Sequence, residues 1–199
     1  MYKQFIWIAI LAGVFIWSAI EPRDRPTWYL EVFPVMIGVV VLAATYRSFR
    51  LTSLLYVLIL LHCVVLLVGG HYTYAEVPLF NDIKLMLGSE RNNYDKIGHL
   101  IQGFVPAMIA RELIIRLDII RGRHWRNFFI ICFVLALSAF YELLEWWVAL
   151  VSEQAAEAFL GTQGYEWDTQ SDMGYALIGA LAALLLLSKL HDKQLGKYL

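Results

Sequence analysis

Six long apolar runs, separated by more polar segments of different lengths, dominate the sequence. A helix needs about 20 mostly apolar residues to cross the hydrocarbon core of a bilayer, and each run approaches that length. Pro22 and Pro26 break the chain after the first run, and Gly69-Gly70 ends the third. The pattern predicts an all-α polytopic membrane protein, a single transmembrane helical domain over residues 1–199, with six spans at Gln4–Ile20, Leu30–Tyr46, Leu51–Gly69, Ile97–Arg116, Asn127–Val151 and Met173–Leu190.

Composition agrees with this pattern. Hydrophobic residues make up 60% of the 199 residues, charged residues only 17%, and the mean hydropathy is +0.60. Ordinary soluble domains are roughly half apolar and about a quarter charged. The sequence therefore predicts an integral protein of the membrane, with the lipid bilayer as its main partner, and nothing in its charge pattern indicates nucleic-acid binding.

The distribution of lysine and arginine predicts the orientation of the six spans, because cytoplasmic loops carry the excess of these residues. Of the 16 lysines and arginines, five fall at one set of span ends: Arg23, Arg25, Lys84, Arg91 and Lys96. The other eleven fall at the opposite set: Lys3, Arg47, Arg50, Arg111, Arg116, Arg121, Arg123, Arg126, Lys189, Lys193 and Lys197. Both termini are therefore expected in the cytoplasm.

Three acidic segments are predicted to reach the outer side together. Asp95 and His99 are one helical turn apart at the start of the fourth span. Glu142 and Glu145 lie near the outer end of the fifth span, and Asp168 and Asp172 precede the sixth. Ionisable side chains at membrane depth are costly and by default mark a functional site. Two long outer segments, Gly70–Lys96 and Ser152–Asp172, are expected to form a cap above this site.

A bound divalent cation is one direct way to offset the repulsion among these carboxylates. We expect Asp95, His99, Glu142 and Asp172 to be its ligands, with Glu145 or Asp168 as a general base. Oxygen ligands with one imidazole favour Mg²⁺, Mn²⁺ or Ca²⁺, and a second nitrogen ligand such as His71 would move the preference towards Zn²⁺. The remaining candidates for this site are Tyr94, Gln102 and Tyr141.

A purely structural explanation of the same residues stays open. The carboxylates would then pair with Arg91, Lys96 and tyrosine hydroxyl groups, or face water at the membrane interface. Asp168 or Asp172 would be the N-cap of the sixth helix, and Asp95 that of the fourth. His124 and His191 lie in basic segments and are expected to face water.

Three segments carry a family resemblance: Gly69-Gly70-His71-Tyr72-Thr73-Tyr74, Arg91–His99, and Trp167-Asp168-Thr169-Gln170-Ser171-Asp172-Met173. They closely resemble the YjdF family of bacterial inner-membrane proteins of unknown function, over essentially the whole chain. More distantly, the Asp95-Lys96-x-x-His99 start, the Glu142 helix and the Asp172…Gly179 helix are similar to VanZ-like families. The resemblance implies a multi-pass protein of the bacterial inner membrane with an outward-facing polar cluster, but no particular reaction.

Three functions are therefore compatible with the sequence. The first is a protein whose carboxylate/His site, holding a divalent cation, binds or acts on an envelope lipid or lipid-linked molecule. The second is a small proton- or ion-coupled transporter, which would need polar residues continuing through the membrane. The third is a non-catalytic envelope structural or resistance factor, whose polar network ties helix ends together.

Overall fold

The computed structural model describes residues 2–151 and 163–198, and within these residues the regular structure is entirely helical. The seven helices of this part of the chain are α1 (Tyr2–Ala19), α2 (Arg25–Thr45), α3 (Ser53–Tyr72), α4 (Pro78–Leu87), α5 (Tyr94–Arg116), α6 (Arg123–Val151) and α7 (Asp168–Leu195). The predicted all-α class is confirmed. The part of the predicted Ser152–Asp172 cap that comprises residues 152–162 lies outside the described residues.

Four of these helices, α2, α3, α6 and α7, are long and apolar enough to cross a membrane, which confirms a polytopic membrane protein. The apolar part of α1, Gln4–Ala19, is shorter. Helix α5 has 23 residues but carries ionisable groups near both ends. These two helices therefore differ from the other four for different reasons, one in length and the other in polarity.

Most helices extend beyond the predicted spans because their first turns include polar residues. Helix α5 begins three residues before Ile97, and α7 begins five residues before Met173. The segment Gly70–Lys96 is also more ordered than a loop, since it contains the ten-residue helix α4. In α4 no residue is buried, and Leu79, Leu85, Met86 and Leu87 are all exposed.

Helices α5 and α7 form the closest pair in the bundle. Gly103 of α5 faces the backbone of Ala176, and Gly179 of α7 faces the backbone of Leu100. A Cβ atom at either glycine would overlap a carbonyl oxygen of the partner helix. Small residues at membrane helix interfaces allow this kind of close approach. These contacts fix α5 against α7 directly below the first turns that carry Asp95, His99 and Asp172.

Tyr74 joins α3 to α5 on the other side of the bundle. Its backbone has a positive φ of 55°, just after the left-handed Thr73 that ends α3. Its ring fills the space that a Cβ atom would need at Gly69 of α3 and at Gly98 of α5. A loop residue thus replaces helix-to-helix contact at this level.

The ends of α5, α6 and α7 define the two ends of the bundle. We call the end with the first residues of α5 and α7 and the last residues of α6 the site end, because it holds the predicted site residues. At the opposite end, the Nε2 atom of His191 donates a hydrogen bond to Glu112 Oε2 at 2.9 Å, and Arg111 Nη1 donates to His191 Nδ1, also at 2.9 Å. The expectation that His191 faces water is wrong, since this side chain is fully buried, whereas His124 is exposed.

Candidate functional site

The site begins at the N-terminal turns of α5, which an asparagine positions. The Asn92 side chain accepts a hydrogen bond from the Tyr94 backbone N–H at 3.1 Å and donates to the Val77 carbonyl at 3.0 Å. These bonds attach the start of α5 to the segment before α4. Asp95, Lys96 and His99 follow within five residues, so their side chains share the site end of one helix.

Two basic side chains bind three of the aspartates. Lys96 Nζ lies 2.7 Å from both Asp168 Oδ1 and Asp172 Oδ1. Arg91 Nη2 lies 3.0 Å from Asp95 Oδ2 and 2.6 Å from Asp168 Oδ1. All five side chains are largely buried, which strengthens these ion pairs. Lys96 and Arg91 therefore tie the start of α5 to the start of α7.

The second oxygens of two of these aspartates face His99. Asp95 Oδ1 is 3.3 Å from His99 Nε2, and Asp172 Oδ2 is 3.9 Å from the same nitrogen. On the other side of the ring, His99 Nδ1 is 3.0 Å from Gln102 Oε1. Since an amide oxygen only accepts hydrogen bonds, Nδ1 is the donor in this contact. Nε2 faces the two carboxylates, and it either donates to Asp95 as part of an imidazolium or, when unprotonated, shares a cation with them. Gln102 thus gives His99 the orientation typical of a metal-binding imidazole.

Two glutamates of α6 stand on the Nδ1 side of His99. Ser138, Glu142 and Glu145 continue the buried face of α6 and make it polar towards the site end. Glu142 Oε1 is 3.9 Å from His99 Nδ1. This oxygen is buried and has no hydrogen-bond partner among the described residues. Glu145 is equally buried and makes no ion pair within the same part of the chain.

Sequence reasoning missed Glu31 of α2. This residue is only 5% exposed, and the Tyr141 hydroxyl group donates a hydrogen bond to its Oε2 atom at 2.9 Å. The ring of Tyr141 in turn lies 6.4 Å from that of His99, centroid to centroid. A glutamate inside the apolar stretch from Trp28 to Val35 could have indicated a site residue from the sequence alone. Because the predicted span began at Leu30, Glu31 counted only as an end residue.

Two predicted candidates lie away from His99. His71 Nδ1 is 3.1 Å from the carbonyl oxygen of Ser18, and its ring packs on Trp17. The Tyr94 hydroxyl group donates to the Val65 carbonyl at 2.9 Å and so connects α5 to α3. Neither side chain belongs to the carboxylate/His groups among the described residues.

The N-cap alternative is wrong for all three aspartates. The N-cap of α7 is Trp167, so Asp168 is the first residue of the helix and Asp172 lies in its second turn. The N-cap of α5 is Asn93, which leaves Asp95 inside the first turn. These carboxylates are directed to side chains of the site, and not to the free backbone N–H groups of their own helices.

The charges of the site do not balance within the described residues. Two permanent cations, Arg91 and Lys96, stand among six buried or half-buried carboxylates: Glu31, Asp95, Glu142, Glu145, Asp168 and Asp172. Residues 152–162 contain no lysine or arginine that could add to them. Two groups have ligand atoms within 4.8 Å of one another, Asp95/His99/Asp172 and His99/Glu142/Glu145. Protons or a bound cation must offset the remaining negative charge.

Comparison with known proteins gives one family and one close relative. The family described as "Predicted membrane protein (DUF2238)" matches residues 3–193. The inner membrane protein YjdF of Escherichia coli (strain K12) is 50% identical over 188 residues, which cover 94% of this chain and 90% of the relative. No solved structure matches the chain.

Proposed function

We propose, from the fact that this chain belongs to the DUF2238 family of predicted membrane proteins, that it crosses the bacterial inner membrane six times with both termini in the cytoplasm. The resemblance to the YjdF family and the inner-membrane localisation are confirmed by the relative. The excess of lysine and arginine at the opposite end supports the orientation. In this orientation the site end faces outward, and α1 and α5 complete the set of spans.

The function that we propose is divalent-cation-dependent binding or conversion of an envelope lipid or lipid-linked molecule. One observation carries the cation: Asp95 and Asp172 each give one oxygen to a basic side chain and the other to the space beside His99 Nε2. Metal–oxygen distances of about 2.1–2.4 Å place neighbouring ligands roughly 3–4.5 Å apart, and Nε2 lies 3.3 Å from the Asp95 oxygen and 3.9 Å from the Asp172 oxygen. Arg91 binds the other oxygen of Asp95 and Lys96 that of Asp172, and these ion pairs orient the two ligands.

The chemistry of the ligands supports a hard cation. Two carboxylate oxygens and one imidazole favour Mg²⁺, Mn²⁺ or Ca²⁺ over Zn²⁺. Such a cation would polarise a phosphoryl or acyl oxygen and activate water. Glu142, which the sequence also suggested as a ligand, faces Nδ1 of His99 and not Nε2, so we leave it out of this ligand set. Glu145 suits the role of general base better than Asp168, because Asp168 is already bound by both Arg91 and Lys96.

Elemental analysis of the purified full chain tests this function. We expect about one equivalent of divalent metal in the wild type, and loss of most of it in Asp172→Asn and His99→Gln. Asp82→Asn, in the exposed face of α4, is the matched control and should keep its metal. Chelation should also lower the melting temperature of the wild type more than that of Asp172→Asn. Substoichiometric metal in the wild type would remove the proposal.

A structural role is the second candidate, because Lys96 bridges two aspartates of α7. Loss of stability in Glu142→Gln and His99→Gln, with no change in metal or lipid binding, would favour it. No such observation favours the transporter. The buried positions of α5 between Gln102 and Arg111 are glycine, valine, proline, alanine and methionine, which continue no polar path towards the opposite end.

A further inference from the structure

A groove with a volume of about 480 Å³ lies between α6 and α7 beside the candidate site. Its lining is mixed in character. Three lining side chains are polar, Glu142, Glu145 and Thr169, and four are apolar, Ala139, Leu143, Trp146 and Met173. The groove is therefore suited to a molecule with both a polar and an apolar part.

Two of the apolar side chains that line the groove are exposed. Leu143 and Trp146 are 44% and 54% exposed, although they belong to a helix that is apolar enough to span the membrane. We expect apolar side chains exposed on such a helix to contact acyl chains. A ligand of this groove would thus enter sideways from the bilayer, with its apolar part against Leu143 and Trp146.

The polar side chains of the groove favour a ligand with a positive charge. Glu142 Oε1 is more than nine-tenths buried and has no hydrogen-bond partner among the described residues. Lys96 is engaged by Asp168 and Asp172 on the other side of the site. Ionised carboxylates only accept hydrogen bonds, and a buried charge without a partner is costly. In their ionised form Glu142 and Glu145 would repel a phosphate or a second carboxylate, whereas an ammonium group would both compensate their charge and donate hydrogen bonds to them.

We infer that this groove binds a phospholipid through a primary ammonium headgroup, whose N–H groups donate to Glu142 and Glu145 while Leu143, Trp146 and Met173 contact the body of the lipid. The inference rests on the proposed function, since it names the lipid class that this outward-facing site would hold. The cation proposed above lies on the Nε2 side of His99, and the ammonium group would lie on the Nδ1 side.

The test compares three lipids with identical short acyl chains, titrated into the purified full chain in detergent. Phosphatidylethanolamine carries a primary ammonium group, phosphatidylcholine carries the same charge without N–H donors, and phosphatidylglycerol carries no ammonium group. We expect phosphatidylethanolamine to bind at least about tenfold more tightly than either, which is about 1.4 kcal/mol. Equal affinities, or a preference for phosphatidylglycerol, would overturn the inference.

Variants separate this groove from the metal site. Glu145→Gln should abolish the preference for phosphatidylethanolamine, and Glu166→Gln, at an exposed position before α7, should keep it. A preference that survives in Glu145→Gln overturns the inference. If Glu145→Gln does not fold, the wild-type lipid series carries the test. Metal content is measured on the same samples: full metal without lipid preference counts against the groove alone, and absent metal with intact preference counts against the cation alone.

Discussion

Replacement of Lys96 by methionine should destabilise the protein strongly, because it removes one cation from between two buried carboxylates. The Lys96 ammonium group is 2.7 Å from both Asp168 and Asp172, and its side chain is 7% exposed. Methionine keeps most of the volume but donates no hydrogen bond. Removing one partner of a buried ion pair costs about 3–5 kcal/mol. Asp168 keeps Arg91 at 2.6 Å, so we expect the lower part of this range, roughly 3 kcal/mol.

The assay is denaturant-induced unfolding in mixed micelles, followed by tryptophan fluorescence, with chelator present so that no metal takes the place of the lysine. Lys84→Met in α4 is the control, since Lys84 makes no ion pair among the described residues. A double-mutant cycle with Asp168→Asn should give a coupling of at least about 1 kcal/mol. If Lys96→Met unfolds like Lys84→Met, or the coupling is zero, the ion pairs do not hold α5 against α7 and the reasoning fails.

Three further predictions follow from single contacts. Gly179→Ala should cost about 1–3 kcal/mol in unfolding free energy, because the new methyl group would overlap the Leu100 carbonyl. The control Gly174→Ala, in open space on the same helix, should not destabilise the protein. Equal unfolding midpoints for the two variants would contradict the close crossing of α5 and α7. His191→Leu should lower the melting temperature, because it removes a hydrogen-bond donor from buried Glu112 at a cost of about 1–3 kcal/mol. The control His124→Leu should leave the melting temperature unchanged. Equal melting temperatures for the two variants would disprove a role for the buried imidazole. Glu31→Gln should leave the metal content unchanged, since Glu31 contacts Tyr141 and not the Nε2 side of His99, and elemental analysis that finds metal loss would place it among the ligands.

Much of the site was predictable because it depends on helix periodicity and on the alternation of spans. Residues four apart share a helix face, so the contact between Asp95 and His99 follows from their spacing. Antiparallel spans bring every second helix end to the same level, which is why Glu142 and Asp172 meet them. These two rules need no knowledge of how the helices pack.

The rest depends on packing and was not predictable. Lys96 selects Asp168 and Asp172 over its neighbour Asp95, 3.9 Å away, because the glycine contacts between α5 and α7 bring α7 close. Helix α4 has only ten residues and is too short to be a span, so the span pattern does not detect it. His191 looked solvated beside Asp192 and Lys193, yet α7 continues to Leu195 and turns that histidine inward.

The position of the Tyr74 ring limits where a molecule could pass between the helices. The ring occupies the gap between α3 and α5, so that flank is sealed by a side chain wedged against two glycines. The groove between α6 and α7 lies elsewhere, since none of its lining residues belongs to α3 or α5. A molecule held in that groove would not pass between α3 and α5 at the level where Tyr74 closes the gap.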